Sequence, residues 1–223
     1  MKTFTHLPLQ FTELETITTK GGQRYYRTPD GVSYPSVTTI LSEHSKAGIT
    51  EWRNRIGAEA ADKISRQAAT RGTKFHAMAE KYLNNEYKQE KMNLLDMELF
   101  EMAVPELEKI DNIRAQEVPL YSHHLRLAGR VDCIGEYDGK LSIIDFKTAR
   151  REKEPDHVQH YFMQACAYSI MFEELTGTPI NRLTLIIAVE DGFMQILQSK
   201  RDKHVQDLLH YRDLYERKQE EKL

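Results

Sequence analysis

Asp132, Asp145 and Lys147 fall in the stretch 127–148, Leu-Ala-Gly-Arg-Val-Asp-Cys-Ile-Gly-Glu-Tyr-Asp-Gly-Lys-Leu-Ser-Ile-Ile-Asp-Phe-Lys-Thr. Two alternating, apolar-rich runs flank Asp138-Gly139, the strongest short-range signal for a two-residue hairpin turn. Counting back from that turn places Asp132 directly opposite Asp145. Because side chains alternate along a strand, one face is expected to carry Arg130, Asp132, Ile134, Ile143, Asp145 and Lys147. The other carries Val131, Cys133, Ile144 and Phe146, the expected core face. Directly opposed carboxylates have Cβ atoms about 5 Å apart and repel each other. A fold that keeps such a pair beside a lysine is expected to hold a cation there.

Hard oxygen ligands, an activated water and positive charge near a phosphate are what divalent-metal phosphodiester hydrolysis requires. Asp132 and Asp145 supply the oxygens, and the carbonyl of Phe146 could add another. Lys147 follows Asp145 by two residues on the same face, where it could orient or deprotonate a water or neutralise the phosphate. An Asp-x-Lys triplet alone arises often by chance. The hairpin register, the apolar approach Leu-Ser-Ile-Ile and the Gly129-Arg-Val-Asp132 lead-in give this one its weight.

The elements that must position these residues are legible in outline. Residues 23–34 form a small hairpin around Pro29-Asp30-Gly31, and Pro35-Ser36 opens a short helix through Leu41 with Ser36 as its N-cap. From about Glu51 to Asn84 the pattern is helical, with Trp52, Ile56, Ala60 and Ile64 at helix spacing, then Phe75, Ala79 and Tyr82 after Gly72. Residues 92–110 read as a helix interrupted near Pro105. A strand at Ala115–Tyr121 precedes the hairpin. Asp156–Leu175 follows as a helix ending at Gly177 and Pro179. Leu183–Val189 is an apolar strand that turns at Asp191-Gly192 into Met194–Leu197, and the last twenty residues form a charged helix. A helical N-terminal lobe and a β-β-β-α-β-β-α core belong to the mixed α/β class.

Composition excludes several alternatives. With 223 residues, 40% hydrophobic and 29% charged, the sequence is that of an ordinary globular protein. The net charge of −3 does not advertise nucleic-acid binding, although a local basic channel can sit on an acidic protein. Two cysteines, Cys133 and Cys166, cannot supply a four-cysteine iron–sulfur cluster and read as buried thiols. No apolar run reaches the ~18 residues of a membrane span. The expected location is the cytoplasm, with no membrane partner.

Gly129-x-x-Asp132 followed by Asp145-Phe146-Lys147 resembles the PD-(D/E)XK nuclease core in its RecB-like branch. Gly72-Thr-Lys-Phe-His76 matches that branch's upstream Gly-x-x-x-His, and Gln164-Ala-Cys-Ala-Tyr168 matches its Gln-x-x-x-Tyr. Tyr34–Leu41, Trp52 through Arg71-Gly72, and Leu175–Pro179 resemble the subgroup of phage exonucleases and mitochondrial genome maintenance exonucleases. Val131 stands where the name-giving proline would be, a common departure in this branch.

The resemblance implies a restriction-endonuclease-like core, with a central mixed sheet flanked by helices. One nuclease domain is expected over 1–223, with a helical lobe at 35–113 and the catalytic core at 114–223. The resemblance further implies that His76, Asp132 and Asp145 ligate Mg²⁺ or Mn²⁺, that Lys147 is catalytic, and that Gln164 and Tyr168 position the lysine or the DNA. Arg53, Arg55, Arg71 and Lys74 are candidates for phosphate contacts and Tyr161 for stacking a base, though each cation also reads as part of a solvated face. Glu80, one turn from His76, reads most simply as a surface glutamate, and Glu117 lies in a strand near the site with no assigned role.

The expected activity is hydrolysis of DNA from free single-stranded ends. A structure-specific or restriction-type endonuclease is the alternative on the same core. A catalytically silent DNA-binding protein is the second. No phosphate-loop motif is present, so unwinding would come from a separate helicase, and an annealing or single-strand-binding protein could also act beside it.

Overall fold

The computed structural model describes residues 2–88 and 93–221. A small antiparallel sheet, β1 (Glu15–Thr18), β2 (Arg24–Arg27) and β3 (Ser33–Pro35), opens the chain in that spatial order. β2 and β3 are the expected hairpin. β1 is short, polar and mostly exposed, and so left no apolar signature.

α1 spans Val37–Ile56 and α2 spans Ala58–Leu83. Ser36 is the N-cap of α1, its hydroxyl accepting from the Thr39 N–H at 3.0 Å. α1 therefore starts where expected but runs fifteen residues beyond Leu41. The helical pattern expected from Glu51 to Asn84 is divided at Gly57, whose φ of 88° removes it from helical geometry. α3 covers Leu94–Leu107 and contains Pro105 in its last turn, while residue 92, its expected start, lies outside the described residues.

The main sheet has the order β4-β5-β6-β7-β8: Ile110–Ser122, Leu127–Tyr137, Lys140–Ala149, Arg182–Val189 and Phe193–Lys200. All neighbours are antiparallel except β6 and β7, which run parallel and are joined across α4 (Gln159–Thr176). α5, Val205–Glu220, follows β8; the last two residues of the expected terminal helix lie outside the described residues. The β-β-β-α-β-β-α order is the one the sequence indicated. Tyr137 pairs with Lys140 around Asp138 and Gly139, at φ 49° and 67°, as a two-residue turn of this kind demands.

Helices cover both faces of the sheet. α4, α1 and α5 close one core over Ile134, Ile143, Leu183 and Leu185; α2 and α3 close another over Cys133, Ile144, Phe146 and Ile186. Helices on both faces are what the sequence leads us to expect, and Ile134 and Ile143 are as buried as Cys133 and Ile144. A strand pair buried on both sides reads as a continuous apolar run, and Ile143-Ile144 is such a run. One residue of the expected face assignment is corrected: Val131 packs in the α4-side core with Ile134 and not with Cys133.

Candidate nuclease site

The β5–β6 ladder runs from Tyr137↔Lys140 to Cys133↔Ile144. Asp132 and Asp145 are the next residues in that register. There the pairing changes character: the Phe146 N–H donates to Asp132 Oδ2 at 2.8 Å, a side chain taking the place of a backbone acceptor. β6 continues as far as Ala149↔Val189 on β7, while β5 continues as far as Leu127 on β4. The site lies at this fork.

Asp145 is buried to 1% exposure, and Lys147 Nζ lies 2.5 Å from its Oδ2. Its Oδ1 has no hydrogen-bond partner among the described residues. Burial raises the Asp145 carboxyl to about 6, with Asp132 adding to the rise and Lys147 opposing it. Burial also works against the Lys147 ammonium, but Asp145 and then Asp132 outweigh it and hold its pKa above the ordinary value. Lys147 is therefore a cation at neutral pH. The Tyr161 ring lies beneath it, with Nζ 5.1 Å from the ring centroid, a cation–π contact that fixes the lysine from the α4 side.

His76 comes from α2. Its Nε2 donates to the Phe146 carbonyl at 2.6 Å, leaving Nδ1 turned toward Asp132 Oδ1 at 3.7 Å and Glu117 Oε1 at 3.9 Å. Burial opposes the imidazolium, yet Glu117 and then Asp132 raise the pKa above the ordinary histidine value. Ligand atoms of His76, Glu117 and Asp132 all lie within 4.8 Å of one another.

This donor set fits a divalent cation. It combines one imidazole, whose second nitrogen is fixed by a backbone carbonyl as metal-bound histidines usually are, with carboxylate oxygens, one of them the unpartnered Oδ1 of buried Asp145 nearby.

Glu117 is the residue that sequence reasoning left without a role. Gln116 pairs with Cys133 and Val118 with Val131, so Glu117 stands opposite Asp132. Its φ of 48° is a left-handed conformation within a strand, and Arg130, itself paired with Glu13, donates to its carbonyl. The kink aims its carboxylate at His76. Ser122 to Leu127 carries no two-residue turn signature, so the β4–β5 register could not be counted from sequence.

Gln164 Nε2 donates to the Tyr168 hydroxyl at 3.2 Å. Tyr168 is buried against Gly129, where an added Cβ would fall 2.7 Å from Cε1 and 3.0 Å from the hydroxyl oxygen. The glycine three residues before Asp132 thus admits the tyrosine of α4 to the β5 backbone. Gly72 faces Thr148 with more room, a Cβ there lying 3.9 Å from Oγ1. An open cleft of about 460 Å³ between Gly72, His76, Glu80 and Glu117 leads to the site.

The proposed DNA contacts are dispersed. Arg53 is held by Asp62 at 2.7 Å across the Gly57 break, and Arg55 is exposed in the last turn of α1. Arg71 pairs with Glu190, and Lys74 with Asp96 at 2.6 Å.

Residues 96–222, more than half of the chain, match the model of the PD-(D/E)XK nuclease superfamily. The chain belongs to that superfamily. It is 29% identical over 173 residues to the human mitochondrial genome maintenance exonuclease 1, covering 71% of this chain and 50% of that protein. The mouse protein of the same name is 29% identical over 135 residues, covering 54% of this chain and 38% of the relative. The chain thus spans half or less of the length of these curated relatives. Among solved structures, a candidate exonuclease from Eubacterium rectale aligns at a TM-score of 0.46 and 13% identity, over 66% of this chain and 64% of that one. The superfamily member's mixed sheet, with helices on both faces, agrees with this assignment. No helix among the described residues is long and apolar enough to cross a membrane.

Proposed function

We propose that this protein is a divalent-metal-dependent deoxyribonuclease that removes nucleotides from free single-stranded ends. The observation that carries the proposal is the fork itself, where a buried, incompletely partnered Asp145 and its lysine lie beside the His76, Glu117 and Asp132 cluster. Nothing in strand packing requires a buried carboxylate with a free oxygen. The exonuclease preference rests on the resemblance to the exonuclease relatives.

Mg²⁺ or Mn²⁺ bound by His76, Asp132 and Asp145, with Glu117 as a further ligand, would supply Lewis acidity and lower the pKa of coordinated water. The Phe146 N–H holds Asp132 in place, and the Phe146 carbonyl holds His76, so two ligands are oriented by the backbone of one residue. Lys147, kept charged by its carboxylate neighbours and braced by Tyr161, places a fixed positive charge where the phosphate's negative charge grows. Gln164 and Tyr168 brace the same region from α4. In this reading the nucleophile is water.

The test uses purified protein and Lys147→Ala on labelled linear single-stranded, linear duplex and circular DNA, with Mg²⁺, Mn²⁺ or EDTA. Metal-dependent loss of linear single strands alone, absent in the variant, is expected. Cutting of circles would replace the exonuclease with an endonuclease, and binding without cleavage under any metal would leave a silent binding protein.

A further inference from the structure

Beyond the site, α2 carries a second polar face. Lys63, Arg66, Arg71 and Lys74 recur at helix spacing along it, with Gln67 and Thr70 between them, over a rise of about 16 Å. This stripe does not simply meet solvent. It forms one wall of a cleft of about 800 Å³, whose other side is made by the start of α3 and by Arg150 and Glu190. Arg150 and Glu190 directly follow the last paired residues of β6 and β7, Ala149 and Val189. The cleft therefore opens at the carboxyl ends of the parallel strand pair, where open α/β sheets place their ligands. Arg150 lies three residues beyond Lys147, about 10 Å along an extended chain.

The lining has five cationic side chains against two carboxylates, on a protein whose net charge is −3. Lys63 and Arg66 have no ion-pair partner among the described residues. Arg71 is mostly buried and paired with Glu190, yet its Nε has no hydrogen-bond partner among the described residues. Arg150 stands 3.7 Å from the same Glu190. One carboxylate thus serves two guanidinium groups and satisfies neither fully. No aromatic ring lines the cleft among the described residues, so nothing there would stack on a base.

We infer that this cleft is a binding track for the sugar–phosphate backbone of single-stranded DNA, read through Lys63, Arg66, Arg71 and Arg150 without regard to sequence. Glu190 is the placeholder that phosphate oxygens displace from Arg71 and Arg150. The inference rests on the nuclease reading for the identity of the strand, but it assigns residues and a path which that reading lacks.

The experiment measures fluorescence anisotropy of a labelled oligothymidylate of about 15 nucleotides, in EDTA, across a salt series. The charge reversal K63E/R66E at two exposed positions should weaken binding at least tenfold and reduce the slope of log K against log salt by about 1.4, or about 0.7 per lost phosphate contact. Glu190→Gln should tighten binding several-fold, a result that a merely structural ion pair would not give. Affinity and slope unchanged in K63E/R66E, or no binding by the unmodified protein, would overturn the track. Cleavage of the same oligonucleotide in Mg²⁺ is read separately. Track-dependent binding without cleavage would sink the nuclease reading alone, and cleavage with K63E/R66E binding unchanged would sink the track alone.

Discussion

Removing the charge of Asp145 should flatten the pH dependence of stability in the metal-free protein. Burial raises this carboxyl from the ordinary 3.8 to about 6, with Asp132 adding to the rise and Lys147 opposing it. A folded-state pKa above the unfolded one means that the native protein holds the proton more tightly. The stability so contributed is complete below about pH 4 and is lost as the pH climbs through about 6. At 1% exposure the group has almost no solvent to screen it. The gap corresponds to about 3 kcal/mol in all, of which about 2 falls between about pH 4.5 and about pH 7.5. For a chain of this length each kcal/mol moves Tm by about 2–4 °C, so the unmodified protein should lose about 4–8 °C relative to Asp145→Asn across that interval.

Thermal unfolding of both proteins in EDTA checks this, and the difference between the two curves removes every titrating group that does not interact with Asp145. Parallel curves would refute the reasoning, because they would mean that Asp145 ionises in the folded state as easily as in water. Mg²⁺ should then raise Tm at about pH 7.5 in the unmodified protein more than in Asp145→Asn, since ligand binding to the native state adds stability by mass action. That gain should shrink toward about pH 5, where protons compete for the same oxygens.

Lys147→Ala should lower kcat by about 10²–10³ while oligonucleotide affinity changes little; an unchanged kcat with lost affinity would make the lysine a binding group only. Glu117→Gln should weaken Mg²⁺ binding by about 10–100-fold in calorimetry, and an unaltered isotherm would remove Glu117 from the ligand set. Gly129→Ala puts a Cβ 2.7 Å from Tyr168 Cε1 and should cost about 1–3 kcal/mol in denaturant unfolding, partly recovered by adding Tyr168→Leu. Gly72→Ala, with a Cβ 3.9 Å from Thr148 inside α2, should instead gain up to about 1 kcal/mol, and a loss there would show that the helix cannot hold its distance from β6.

The hairpin was legible because Asp138-Gly139 fixes its register by turn geometry, and Asp132 and Asp145 follow from counting. The same counting failed on the other side of β5. The β4–β5 connection has no such turn, and a register shift between Asp111 and Ala115 breaks the ladder. Glu117 could not be placed opposite Asp132 from sequence for that reason. The position of the break at Gly57 escaped because a glycine inside a helical pattern is compatible with continuation.

The fork explains why these signals converge on one place. Beyond Cys133↔Ile144 the two central strands pair only with their outer neighbours, so backbone groups that a regular ladder would satisfy must find side chains. Phe146 meets that demand with Asp132 at its N–H and His76 at its carbonyl. The candidate ligands are thus held by the sheet's own unmet hydrogen bonds, and Tyr168 packs on Gly129 in the stretch of β5 that β6 has left. Asp145 is not held in this way, as its Oδ1 has burial without a donor. A carboxylate in that state raises the energy of the empty site and lowers the relative cost of filling it with a cation. The destabilisation expected of Asp145 in EDTA and the metal affinity expected of the fork are therefore two readings of one burial, and a variant that relieves the first must weaken the second.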